Sequence, residues 1–183
     1  MKKILLFAMC AIAAISISSC RSSKSEKSPI KTYVMPCSEH VSSDGVLRAW
    51  ASGSSDNETA ARKKALASAS AELAATLTKT VNSTTEDYTS ALNEGESGMS
   101  KSFLSEKNKI TVEKTLSGAT IVCDRWNKDE NGQYTNYIVL ELKGQEYLKA
   151  LYEELSKENG NAIDKKLLEE LFIKNINSGN NDK

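Results

Sequence analysis

Four cysteines and a single histidine are the residues of this 183-residue chain best suited to chemistry. Cys37 and His40 stand together in "CSEH" with Glu39 between them, which puts a thiol, a carboxylate and an imidazole in one short stretch. Such donors could seed a metal site, but that stretch alone lacks the spaced set of four that closes a structural zinc centre, so no metal is expected. There is no Gly-x-Ser-x-Gly elbow, phosphate-binding Gly-rich loop or His-Glu-x-x-His helix, and no acidic pair stands out as acid and base. No catalytic residue is assigned, and the expectation is a protein that is not an enzyme. Trp50 and Trp126 are the remaining candidates, as a ligand or interaction face on a sheet. A strand tryptophan can stack on a flat aromatic ligand, but covering an open sheet face or a subunit contact is its more ordinary use.

Cys10 and Cys20 sit in a different setting. Lys2 and Lys3 precede an apolar run from Ile4 to Ile17, "ILLFAMCAIAAISI". Fourteen residues rise about 21 Å as a helix, short of the ~30 Å hydrocarbon core, so the run reads as an export signal and not as a span. It ends in Ile17-Ser18-Ser19-Cys20, which resembles the lipobox of bacterial lipoproteins. The alternatives are a secreted chain with an incidental cysteine, or an uncleaved anchor. The resemblance implies that residues 1–19 are removed and that Cys20 carries a diacylglycerol and an N-acyl chain. Several acyl chains on one residue give stable membrane attachment where one gives marginal binding. No other cofactor is expected. Arg21 after the anchor, and the lack of an acidic run in "RSSKSEK", favour the outer membrane with the domain in the periplasm, with surface exposure the other option. In such an oxidising compartment Cys37 and Cys123 either form a disulfide, closing a long loop worth ~4 kcal/mol, or stay as two separate thiols.

The charges define what the rest of the chain is not. Lysine and arginine total 24 and so do aspartate and glutamate, so no broad electrostatic footprint for nucleic acid exists. Arg62-Lys63-Lys64, the only basic triplet, reads as a solvated helix face. The 39% apolar and 26% charged fractions are those of a globular domain.

The elements that would position these residues follow from periodicity. Residues 20–44 read as the lipidated cysteine and a polar tether, with Asp44-Gly45 as a turn. In "VLRAWASG", Leu47, Ala49 and Ala51 alternate with Val46, Arg48, Trp50 and Ser52, a strand with one small apolar face, ended by Gly53-Ser54. Ser55 with Glu58 forms a capping box for a long Ala-rich helix carrying Leu66, Leu73, Leu77 and Val81 on one stripe. Residues 82–116 read as a polar excursion returning through helix, with "KITVEKT" open between helix and strand. "GATIVCDRW" and "QYTNYIVLELK", joined across Asn131-Gly132, form a hairpin, with Ile121 and Cys123 on one face of the first strand. A helix after Gly144 carries Tyr147, Leu148, Leu151, Tyr152 and Leu155, and a second stripe carries Ile163, Leu167, Leu171 and Phe172 before "KNINSGNNDK" frays.

The segments "RAWASGSSDNETAARKKALASASAELAATL", "LSGATIVCDRW" and "GQYTNYIVLEL" are similar to the lipoprotein-20 family of bacterial envelope lipoproteins. Ala61-Arg62, Ala65, Ala69, Leu73-Ala74, Gly118 and Ala119 fit that family's pattern, and Ala51 stands where relatives often carry glycine. The resemblance runs from Pro36 to Leu155. It implies an α+β fold, a small antiparallel β-α-β-β sheet with the long Ala-rich helix across one face and C-terminal helices beyond. That is the arrangement of dodecin and of the N-terminal domain of a flagellar assembly protein. It implies residues 45–155 as the domain and 156–183 as a C-terminal helix and disordered tail. The function expected is a membrane-anchored lipoprotein of structural or protein-interaction role, as a homo-oligomer or with an envelope partner. The alternative is a module binding a flat aromatic ligand on the sheet near Trp50.

Overall fold

The computed structural model describes residues 34–92, 101–157 and 163–179. The expected signal peptide 1–19, Cys20 and the tether up to Tyr33 lie outside the described residues. Seven elements follow: β1 (Val46–Ser55), α1 (Glu58–Ala91), α2 (Lys101–Leu116), β2 (Thr120–Lys128), β3 (Tyr134–Lys143), α3 (Gly144–Ser156) and α4 (Lys165–Ser178). The class is α+β, with three antiparallel strands in the order β1-β3-β2.

Strand alternation gives the sheet two distinct faces. Leu47, Ala49 and Ala51 of β1 lie opposite Leu142, Leu140 and Ile138 of β3, and all six are buried. Helix α1 lies on this face through Ala61, Ala65, Ala69, Leu73 and Leu77, each fully buried. Small residues on both sides let the helix backbone come close. At Gly53 a Cβ would stand 2.4 Å from the Ala65 nitrogen and 2.5 Å from the Ala61 oxygen, so only glycine fits. The strand therefore runs on through Gly53-Ser54 to Ser55 and does not stop there. The helix cap also lies further along than the Ser55/Glu58 pattern suggests. Asn57 is the N-cap, its side chain accepting from the Ala60 amide at 3.0 Å, because Ser55 is still engaged in pairing with Tyr134.

Residues 82–91 continue α1 where an excursion was expected. The hydroxyls of Thr84, Thr85 and Thr89 each donate to the carbonyl four residues earlier at 2.8 Å, so these polar side chains are satisfied without breaking the helix. "KITVEKT" is helical within α2, with Thr111 and Thr115 bonded back in the same way. Between α1, α2 and α3 the core turns polar. The Tyr147 hydroxyl donates to Asn108 Oδ1 at 2.6 Å, and Asn108 Nδ2 donates to Thr85 Oγ1 at 2.7 Å. Burial pushes the Tyr147 hydroxyl well above the usual tyrosine range.

Helix α4 belongs to the core and is no appendage. Leu168, Phe172 and Ile176 are buried, and the Phe172 ring stacks on Tyr147 with centroids 5.0 Å apart. The expected fraying of "KNINS" does not occur: α4 holds through Ser178, with Ile176 buried and Asn177 Oδ1 accepting from the Asp44 amide at 3.2 Å. A bulge between Ile121 and Cys123 corrects the reading of β2. One added residue turns Cys123 to the face opposite Ile121, where a regular strand would have kept them together.

Candidate interaction surface

The outer face of the sheet is covered thinly. Arg48, Trp50 and Ser52 of β1 lie opposite Glu141, Val139 and Tyr137 of β3, and Cys123 of β2 pairs with Val139. Over them lies the segment from Val34 to Ser43. This part of the expected tether belongs to the folded unit that begins at Val34. Cys37 is bonded to Cys123, with S–S 2.08 Å and Cα atoms 6.0 Å apart, and both are buried with Tyr137 and Val139, with Trp50 packed against them. The segment is also held by polar bonds. Trp50 Nε1 donates to the Pro36 carbonyl at 2.8 Å, and Arg48 Nη1 donates to the Val41 carbonyl at 2.6 Å. Ser42 Oγ accepts from the Arg48 amide at 2.8 Å, shielding that part of the β1 edge.

The arm turns sharply on Cys37, whose φ of 65° lies in the left-handed region. A residue other than glycine there costs of order 1–3 kcal/mol and persists only where its surroundings hold it. The turn, closed by His40 N to the Cys37 carbonyl at 3.2 Å, brings Glu39 and His40 back over the disulfide. One donor atom each from Glu39, His40 and Cys123 lie within 4.8 Å of one another, and His40 Nε2 stands 3.7 Å from Glu39 Oε1. Two of the "CSEH" donors, Glu39 and His40, thus gain a third from a strand far along the chain. The signal that could have found this was a lone distant cysteine, legible only once the bulge in β2 is known.

The two tryptophans do not share a face. Trp50 lies on the outer side, half-buried, its indole N–H taken by the arm and its ring 6.2 Å from that of Tyr137. Trp126 pairs with Asn136, whose other partner in the sheet is Gly53, so it lies on the helix side. There it is 40% exposed and lines a groove of ≈ 310 Å³ with Glu58, Thr59, Arg62, Lys63 and Leu66. Arg62 Nη2 reaches Asp124 Oδ2 at 3.1 Å, and Lys64 Nζ donates to the Ser54 carbonyl at 3.0 Å, so the basic triplet works partly in structure.

Strand β2 is the other edge of the sheet and differs sharply from β1. Of its nine residues only Cys123 is buried, while Ile121, Val122 and Trp126 are exposed. Among the described residues no strand, helix or loop pairs with its outer side. An edge of this kind is a template for another chain. Among the described residues no helix is long and apolar enough to cross a membrane. Compared with family models, with curated proteins and with solved structures, the chain matches none.

Proposed function

We propose that the chain is a membrane-anchored, non-catalytic lipoprotein of the bacterial envelope, acting through protein contacts. The observation that carries this reading is the β2 edge: a nine-residue strand with a side that no described residue pairs and three exposed apolar side chains. The bulge after Ile121 blunts only one end of this edge, and adding a strand to such an edge is a recurrent mode of recognition. The anchor is Cys20, and the likeness to the lipoprotein-20 family extends the reading to the outer membrane and the periplasm. The buried bond between Cys37 and Cys123 supports an extracytoplasmic home, since disulfides persist in oxidising compartments.

Two measurements test the two halves. Metabolic labelling with an alkyne fatty acid should tag the wild-type chain and leave Cys20→Ala unlabelled; equal labelling of both rejects the anchor. A photocrosslinker in place of Val122, in intact envelopes, should give a discrete adduct with a second copy or an envelope protein. A monomer without adducts at Val122, while other surface positions behave alike, rejects the edge as the working surface.

A further inference from the structure

We infer that the Cys37–Cys123 bond conceals a zinc site, formed on reduction from both thiolates, the His40 imidazole and the Glu39 carboxylate. The geometry points there from four observations. Glu39, His40 and Cys123 each place one donor atom within 4.8 Å of the others. Cys37 Sγ is bonded to Cys123 Sγ and so is the neighbouring thiol once that bond is reduced. A tetrahedral zinc with bonds of about 2.0–2.3 Å needs its donors roughly 3.3–3.8 Å apart, so Glu39, His40 and Cys123 must close by about 1 Å while the two sulfurs, about 2 Å apart when bonded, must separate by nearly 2 Å after reduction. The donors come from a tight turn on one side and a bulged strand on the other, and the turn rests on hydrogen bonds of Pro36 and Val41 that do not involve the sulfurs.

The donor chemistry selects the ion. Two thiolates with an imidazole and a carboxylate form a mixed sulfur, nitrogen and oxygen set, which suits borderline zinc; the carboxylate disfavours copper(I), and the thiolates disfavour magnesium or calcium. The step balances with a dithiol reductant. Its two thiols give two electrons and two protons to the S–S bond and become a disulfide, leaving Cys37 and Cys123 as thiols. Zinc then displaces both thiol protons on binding. Reoxidation reverses the exchange and releases the ion. The same two sulfurs therefore hold the arm to the sheet in either state, through a bond or through a metal.

The test uses the full chain with Cys10→Ser and Cys20→Ser, so that only this pair of thiols remains. After reduction with a phosphine and removal of the reductant, Co²⁺ is titrated as a spectroscopic stand-in, then Zn²⁺ against a chromophoric chelator. One equivalent should bind, with the sulfur-to-cobalt charge-transfer band and the d–d bands of tetrahedral coordination. The oxidised chain should give neither. His40→Ala should weaken zinc by at least about tenfold, the lower end of what even an outer-shell change costs a metal site, and Glu39→Gln should weaken it less. No binding by the reduced chain overturns the inference, and so does equal affinity in His40→Ala. Should reduction unfold the chain, zinc must restore its circular dichroism; failure to do so also overturns it.

Discussion

The two faces of one small sheet are closed by different means. On the helix side, Leu47, Ala49, Ala51, Ile138, Leu140 and Leu142 meet side chains from α1, α3 and α4 in one continuous apolar cluster. On the outer side, four buried residues (Cys37, Cys123, Tyr137 and Val139) with Trp50 beside them make up the whole cluster. Burial at about 25 cal/mol per Å² closes the first face without covalent help. A short arm buries too little for that, and its ordering entropy is offset by a disulfide, an indole hydrogen bond and an arginine. The lesson is one of scale: a wide cover is held by area, a narrow one by specific bonds.

The strongest way to break the comparison is to add an atom where the wide cover comes closest. Gly53→Ala puts a methyl within 2.5 Å of two backbone atoms of α1, which no rotamer change relieves. The expected loss is about 3 kcal/mol or more, the upper end for overpacking and a large share of ordinary domain stability. Urea unfolding followed by circular dichroism reads it. An unchanged midpoint would mean that α1 is not seated on the sheet as described.

The second break is on the thin side. Cys37→Ser with Cys123→Ser removes a crosslink spanning 86 residues and should cost about 2–4 kcal/mol. The loss should be local in character. Hydrogen exchange should rise in the arm, where Cys37 no longer holds its left-handed turn, while Leu140 and Leu142 stay protected. Exchange rising equally on both faces would show that the faces are not closed independently.

How much of this was legible in the sequence follows the same divide. The helix face was written in periods: Leu47, Ala49 and Ala51 alternate, and Leu73, Leu77 and Val81 recur along α1 as helical packing requires. The hairpin came from these patterns and from the turn at Gly132, whose φ is 82°, while the α+β class was what the likeness to the lipoprotein-20 family implied. What escaped the reading was carried by exceptions to period. The bulge after Ile121 moves Cys123 to the other face, and that single residue decides whether Cys37 has a partner. Trp50 and Trp126 looked equivalent as strand tryptophans until the register set them on opposite faces. Threonines in 84–89 resembled loop sequence because their hydroxyls satisfy themselves inside the helix, a choice that composition does not reveal. The tail "KNINS" looked polar because only Ile176 is buried there, and one buried residue per turn is a weak signature.

The smallest predicted effect distinguishes bonds that hold the arm from bonds that merely decorate the surface. Arg48 and Arg62 each make one ion pair, with Glu141 at 2.7 Å and with Asp124 at 3.1 Å. Arg48 is the more enclosed, its side chain 22% exposed against 45% for Arg62. It also bonds the Val41 carbonyl and so ties the arm to β1. Arg48→Ala should therefore cost about 1 kcal/mol, and Arg62→Ala no more than about 0.5 kcal/mol, fading in 1 M salt as an exposed pair does. The discriminating measurement is a double-mutant cycle with the disulfide-free variant. With the arm already loosened, Arg48→Ala has less left to release, so the two changes should sum to less than their separate losses, by about 0.5 kcal/mol or more. Arg62→Ala should add independently, since it joins α1 to β2 and never touches the arm. Additivity for Arg48 would mean that the disulfide alone holds the cover, and that its hydrogen bonds follow the arm instead of fixing it.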